Sequence, residues 1–374
     1  MDEVDDLELG RRLTALTRDL ILIRSTDARP EERARCFEFV RIQLEGLSGV
    51  EIREYEKDGY GSLVVMPEGV SEPAVLFCGH LDVVEHPKAR SYTSEVREGR
   101  IYGPGAGDMK GALAIMLELF RQAHEREPGV SLGLAITSDE ECGGESGVKY
   151  LVEEAGLRCG QVIIPDGGSL NELTVEEKGI LHLRLRTEGK AAHAARPWLG
   201  ENALSLLMSR LGELEAFFAE QALDVEAGEH WFPTCSLTMA RTPNETVNRV
   251  PASAEAVLDV RFVPPDTVAG MLEKIRGILG NEVVVELIVG AEPTNLAADE
   301  MFKQVTEQVT GKKVKEVRAC GGSDGRFFRE AGIPVNLSRP LVGALHSEEE
   351  WIDVESMVTY FRVCEGYVGK KLIG

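Results

Sequence analysis

The sequence predicts an α/β protein. It describes an open, mostly parallel sheet flanked by helices, interrupted by an inserted α+β domain. Three observations predict it. Four short apolar runs, 74–78, 130–137, 161–164 and 333–337, read as strands buried on both faces, as in a parallel sheet covered on both sides. Helical spacing marks the stretches between and before them: 111–125, 145–155, and 5–24 with Leu9, Leu13, Leu16, Leu20 and Ile21 on one face. The middle of the chain behaves differently. Residues 180–187 alternate apolar and polar, as a strand with one wet face does.

That alternating strand opens a βαββαβ series. It continues with a helix over 201–221, strands near 234–240 and 253–262, a helix near 266–279 and a strand at 282–289. The order is that of a ferredoxin-like antiparallel sheet covered by two helices. The expected domains are therefore 1–178 joined to 291–374, with 179–290 inserted. A chain of 374 residues, 43% hydrophobic, is long enough for two such cores.

Composition excludes several function classes. A formal net charge of -22 makes nucleic acid a poor partner, because phosphate binding needs clustered Lys and Arg. No apolar run reaches the roughly 20 residues that cross a bilayer, so no membrane partner is expected. The N-terminus opens with acids instead of a basic-then-apolar signal. Seven cysteines, an odd count without a CxxC pair, fit reduced thiols and a cytoplasmic location. Cys78 and Cys142 read as small fillers, although they neighbour charged candidates.

Those candidates follow the buried runs. His80 and Asp82 come after the run ending at Cys78. Asp139, Glu140 and Glu141 follow Thr137, Asp166 follows Ile164, and His346 lies in the loop after 333–337. Open α/β sheets build their sites beyond the carboxyl ends of the strands, so these residues are expected on one rim. Asp108, in the glycine-rich segment 103–111 that opens a helix, can join them. Imidazole with carboxylate suits zinc, cobalt or manganese. Asp82, two positions after His80 on the same strand face, can orient its ring. Adjacent glutamates at a strand end can diverge, one to a metal and one to water. Two ions about 3.5–4 Å apart need a shared ligand, and a carboxylate bridges well. The glycines of 103–111 lack the spacing of either nucleotide-binding loop.

The spaced motifs resemble those of the M20 metallopeptidases, over nearly the whole chain. The matching segments are Gly79-His80-Leu81-Asp82, Gly107-Asp108-Met109-Lys110-Gly111, Asp139-Glu140-Glu141, Ala192-His193-Ala194, Asn248-Arg249-Val250-Pro251, Asp259-Val260-Arg261 and Gly322-Ser323-Asp324. The resemblance implies two divalent ions, zinc first and cobalt or manganese next. His80 and Asp166 would hold one, Glu141 and His346 the other, and Asp108 would bridge them, with the Asp108–Met109 peptide cis. It implies Glu140 as general base and Asp82 as the residue steadying His80. His193 would stabilise the oxyanion, from a partner subunit in many members. Arg261, Asn248, Gly322 and Ser323 would hold a substrate carboxylate. The inserted domain would be a lid and homodimerisation domain. The expected substrate is a small N-acyl amino acid, with dipeptides or carboxypeptidase substrates next. The competing readings are a non-catalytic metal-binding dimer and a two-metal phosphoesterase. Retention of Glu140 beside all five ligand positions disfavours the first, and a carboxylate-binding Arg261 the second.

Overall fold

A computed structural model describes residues 5–86, 88, 92–222 and 230–372. The acidic opening at residues 1–4 lies outside the described residues. The chain divides into two compact units, one of residues 1–175, 295–319 and 323–374, the other of 176–294 and 320–322.

The first unit is built on a large mixed sheet. Its strands run in the spatial order Val50–Lys57, Tyr60–Pro67, Leu132–Thr137, Val75–His80, Val162–Ile164, Val335–Leu337 and Glu172–Glu177. The four expected strands lie together at its centre and are mutually parallel. Val75–His80 and Leu132–Thr137 are buried at every position. Their alternate side chains feed two cores, because successive residues of a strand face opposite ways. Val75 and Phe77 join one cluster with the helices Asp6–Ile21, Gly111–Arg126 and Val354–Leu372. Leu76 and Cys78 join another with Leu151, Phe327 and Phe328. An antiparallel hairpin, Val50–Lys57 with Tyr60–Pro67, extends the sheet through Leu63 opposite Ile136.

The expected helix over 145–155 is altered. Residues 145–149 form a wide turn, and a single α-helical turn, Tyr150–Glu153, follows. Asp139 Oδ2 accepts the backbone N–H groups of Ser146 and Gly147, both at 2.8 Å, and fixes that start. A small second sheet pairs Arg100–Tyr102 with Trp351–Asp353, which pairs with Val342–Gly343. It brings the chain around 346–350 against the glycine-rich segment 103–111.

The second unit follows the expected order. Strands Gly179–Glu188, Thr234–Arg241, Ser253–Phe262 and Val283–Ala291 form an antiparallel sheet, with Ser253–Phe262 and Gly179–Glu188 at its centre. Ser253–Phe262 alternates buried and half-buried at each step. Its inward residues pack with Leu181, Leu183 and Leu185 against helices Ala203–Gln221 and Val268–Leu279. Among the described residues, no helix is long and apolar enough to cross a membrane.

Candidate active site

The parallel strands of the first unit deliver their trailing residues to one edge. His80 ends its strand, paired with Thr137 of the next. Glu140 and Glu141 follow Thr137 in a short turn, and Asp166 stands two residues past Ile164. Asp108 lies in the turn that leads into the helix Gly111–Arg126, and its peptide bond to Met109 is cis, as the resemblance implied. His346 sits in the loop after Val335–Leu337 with a φ of 59°. Close packing explains the glycine at 107. A side chain there would start 2.7 Å from Leu345 and 3.0 Å from Val342.

Two groups of donors result. Ligand atoms of His80, Glu140 and Asp166 lie within 4.8 Å of one another, as do those of Asp108, Glu141 and His346. Asp108 faces both groups. Its Oδ1 is 3.1 Å from His80 Nε2, and its Oδ2 is 3.3 Å from His346 Nε2. Asp166 Oδ2 is 3.9 Å from His80 Nε2, and Glu141 Oε1 is 3.4 Å from His346 Nε2. The five expected ligand positions and Glu140 are therefore together.

This concentration of acid is electrostatically expensive without cations. Burial pushes Glu140 well above its ordinary range, and the charges of Asp166, Asp324 and Asp108 push it further against the pull of His80. Burial and the neighbouring Asp108 likewise raise Asp166. Burial would lower the His80 imidazole, but its contacts with Asp108 and Asp82 outweigh burial and hold it well above its usual value. Hydrogen bonds to Asp108 and Glu141 raise His346 to about 10. Asp82 Oδ1 and Glu141 Oε1 are buried, each with an imidazole nitrogen no nearer than 3.5 and 3.4 Å. Converging acids, two imidazoles and buried, loosely partnered oxygens fit a pair of divalent cations, which reverse this like-charge penalty.

The supports are built from several directions. His80 Nδ1 lies 3.0 Å from the Asp82 carbonyl and 3.5 Å from its carboxylate. Asp82 Oδ2 accepts the Glu141 N–H at 3.0 Å, so this residue ties the two strand ends together. Four groups were not foreseen in these roles. Glu350 is fully buried, and its Oε1 accepts the N–H groups of Gly107 and Asp108 at 2.8 and 2.9 Å. Lys110, also fully buried, donates to the carbonyls of Leu20 and Ile23 at the end of the first helix. Burial lowers its ammonium to about 8. Asp324 adds a buried carboxyl that burial and Asp139 push up to about 7. Arg339 Nη1 approaches Asp166 Oδ1 at 3.4 Å. The small and apolar residues that follow Lys110 were its only sequence signal, since a charge in such surroundings needs a partner.

The remaining expected residues fall elsewhere in the chain's organisation. His193, Asn248, Arg261 and Gly322 belong to the second unit, and Ser323 to the first. His193 is exposed, and its Nδ1 accepts the Ala195 N–H. The exposed Asn248 uses its carbonyl to accept the Ala194 N–H. Arg261 grips both oxygens of Asp259 at 2.7 and 3.0 Å. Ser323 is buried, and its hydroxyl accepts the Gly325 N–H.

A sheet edge bearing two facing acid–imidazole groups defines a class, and the sequence comparison agrees with it. Peptidase family M20/M25/M40 matches residues 76–370, and the chain belongs to that family. It is a hydrolase of amide or peptide C–N bonds with a candidate dinuclear metal site. Among its relatives is a succinyl-diaminopimelate desuccinylase of Thioalkalivibrio sulfidiphilus, 27% identical over 94% of this chain and 97% of that protein. Another desuccinylase of that description, from Methylorubrum populi, is 31% identical over 80% and 84%. Solved structures share the fold. The aminopeptidase PepT of Bacillus cereus superposes with a TM-score of 0.75 at 19% identity, covering 97% of this chain and 98% of that one. The M20 family metallo-carboxypeptidase Sso-CP2 of Sulfolobus solfataricus does so with 0.75 at 16%, covering 100% and 99%.

Glu350 generates a prediction. Glu350→Ala leaves the N–H groups of Gly107 and Asp108 without their acceptor, at about 1–3 kcal/mol for each. The variant is expected to unfold at lower denaturant and to bind metal more weakly, with Glu350→Gln, which keeps an acceptor oxygen, recovering most of both losses. Denaturant titration and metal-binding calorimetry check this.

Proposed function

We propose that the chain hydrolyses the amide bond of a small N-acyl amino acid, using two zinc ions held by His80, Asp166, Glu141 and His346 with Asp108 shared between them. The observation that carries this reading is the pair of Asp108 oxygens, one near each imidazole. The nitrogen and oxygen donors suit zinc, and cobalt or manganese would be accepted by the same set. When bound, such ions supply Lewis acidity to the scissile carbonyl and to a water.

The chain's own residues do the rest. Glu140 takes the proton of the attacking water on its carboxylate and passes it to the leaving amine. Its place beside His80 and Asp166, largely out of solvent, suits a carboxylate that must change protonation within one cycle. Asp82 holds His80 and the Glu141 backbone in register. His193 is assigned to the oxyanion. Asn248, Gly322, Ser323 and the donors of Arg261 that Asp259 leaves unused are assigned to a substrate carboxylate. The acyl amino acid reading draws support from the desuccinylase relatives, and short peptides are the next class to test.

We further infer a cytoplasmic homodimer associated through the second unit. Its sheet ends on Thr234–Arg241, where residues 236–241 are exposed and include the apolar Leu237 and Met239. An uncovered apolar edge of this kind is a pairing surface.

Three outcomes follow. Zinc- or cobalt-loaded protein should cleave acetyl- or succinyl-amino acids, and a chelator should abolish the activity. Glu140→Gln should lower kcat by about 10²–10⁴-fold with metal content unchanged, and unchanged turnover would remove Glu140 from the role of base. In sedimentation velocity the wild type should run as a dimer and the Leu237→Lys, Met239→Lys double variant as a monomer. A monomeric wild type contradicts the assembly.

A further inference from the structure

Arg339 stands two residues beyond the strand Val335–Leu337, beside the group formed by His80, Glu140 and Asp166. Only 16% of its side chain reaches solvent. A guanidinium carries five N–H donors, yet among the described residues this one makes a single long hydrogen bond, Nη1 to Asp166 Oδ1 at 3.4 Å. Its Nε is buried without a partner. A cation so enclosed with its fork unused is costly unless an anion meets it.

Asp166 is a poor candidate for that anion. Its other oxygen faces His80, and its carboxylate belongs to the donor group that the proposed ion occupies. Two other buried or half-buried cations each have a two-point partner. Lys110 donates to two carbonyls, and Arg261 has both oxygens of Asp259 on its Nε and Nη2. Arg339 differs from them in having no carboxylate on two of its nitrogens, at the edge where the acids converge. The geometry suits two parallel hydrogen bonds to a carboxylate. It also offsets the repulsion that the surrounding acids exert on an anionic substrate.

We propose that Arg339 receives a carboxylate of the substrate and so sets a preference for acidic over neutral amides. The proposal rests on the amidohydrolase reading. The carboxylate can come from the amino-acid moiety or from the far end of a dicarboxylic acyl chain. One experiment separates the sources. Zinc-loaded Glu140→Gln protein, with and without Arg339→Gln, is titrated calorimetrically with N-acetyl-alanine, N-succinyl-alanine amide and N-acetyl-alanine amide. Zinc affinity is measured in parallel.

Arg339→Gln should weaken one of the two carboxylate-bearing ligands by about 10- to 100-fold, and which one weakens identifies the source. The neutral amide and zinc affinity should be unchanged, and Arg339→Lys, which keeps the charge without the fork, should recover part of the loss. Equal losses for all three ligands, a fall in zinc affinity, no loss, or carboxylate ligands binding no better than the neutral amide would each overturn the proposal. Failure of the underlying reading is seen separately, as wild-type protein that turns over none of the corresponding substrates.

Discussion

The candidate site depends on one carboxylate placed between two imidazoles. Asp108 points one oxygen at His80 and the other at His346, so two donor groups from five segments of chain meet at one carboxylate. Everything nearby serves that placement. Glu350 holds the backbone of the Asp108 turn, and Lys110 anchors the same turn to the end of the first helix. The small sheet pairing Trp351–Asp353 with Arg100–Tyr102 keeps the His346 loop against it. Such concentrated acid is unfavourable in a poorly solvated place. The fold accommodates it with buried cations and backbone donors, and divalent ions would remove the remaining penalty.

Much of this was legible in the chain. Buried parallel strands are continuous apolar runs, and four such runs located the centre of the sheet and the side on which charged residues would gather. The alternation at 180–187 located the second unit's first strand for the converse reason, since one face of that sheet is wet. The edge hairpin escaped notice. Val50–Lys57 has mostly exposed side chains and only weak alternation, although Asp58-Gly59, both at positive φ, is a strong turn signal. Likewise the helix expected over 145–155 carried the right spacing, but Asp139 overrode it by binding the backbone of its first turn.

Within the site, residues that act through their own side chains at strand ends were readable. Residues that act by holding others were not. Glu350 lies in an acidic run, Ser347-Glu348-Glu349-Glu350, and only the pairing of Trp351 with Tyr102 turns it inward while its neighbours stay in solvent. Arg339 gave no local signal either, because only the fold brings it beside Asp166, 173 residues away in sequence. Arg261 shows the opposite case. Its motif suggested a free fork, and the strand geometry gives it Asp259 as a partner two residues away on the same face.

The sharing of Asp108 is tested most directly by counting and titrating metal. Wild-type protein stripped with chelator and titrated with zinc should bind two ions per chain, and Asp108→Ala should retain at most one tightly held ion while remaining folded by circular dichroism. Two ions bound to Asp108→Ala with wild-type affinities would contradict the account.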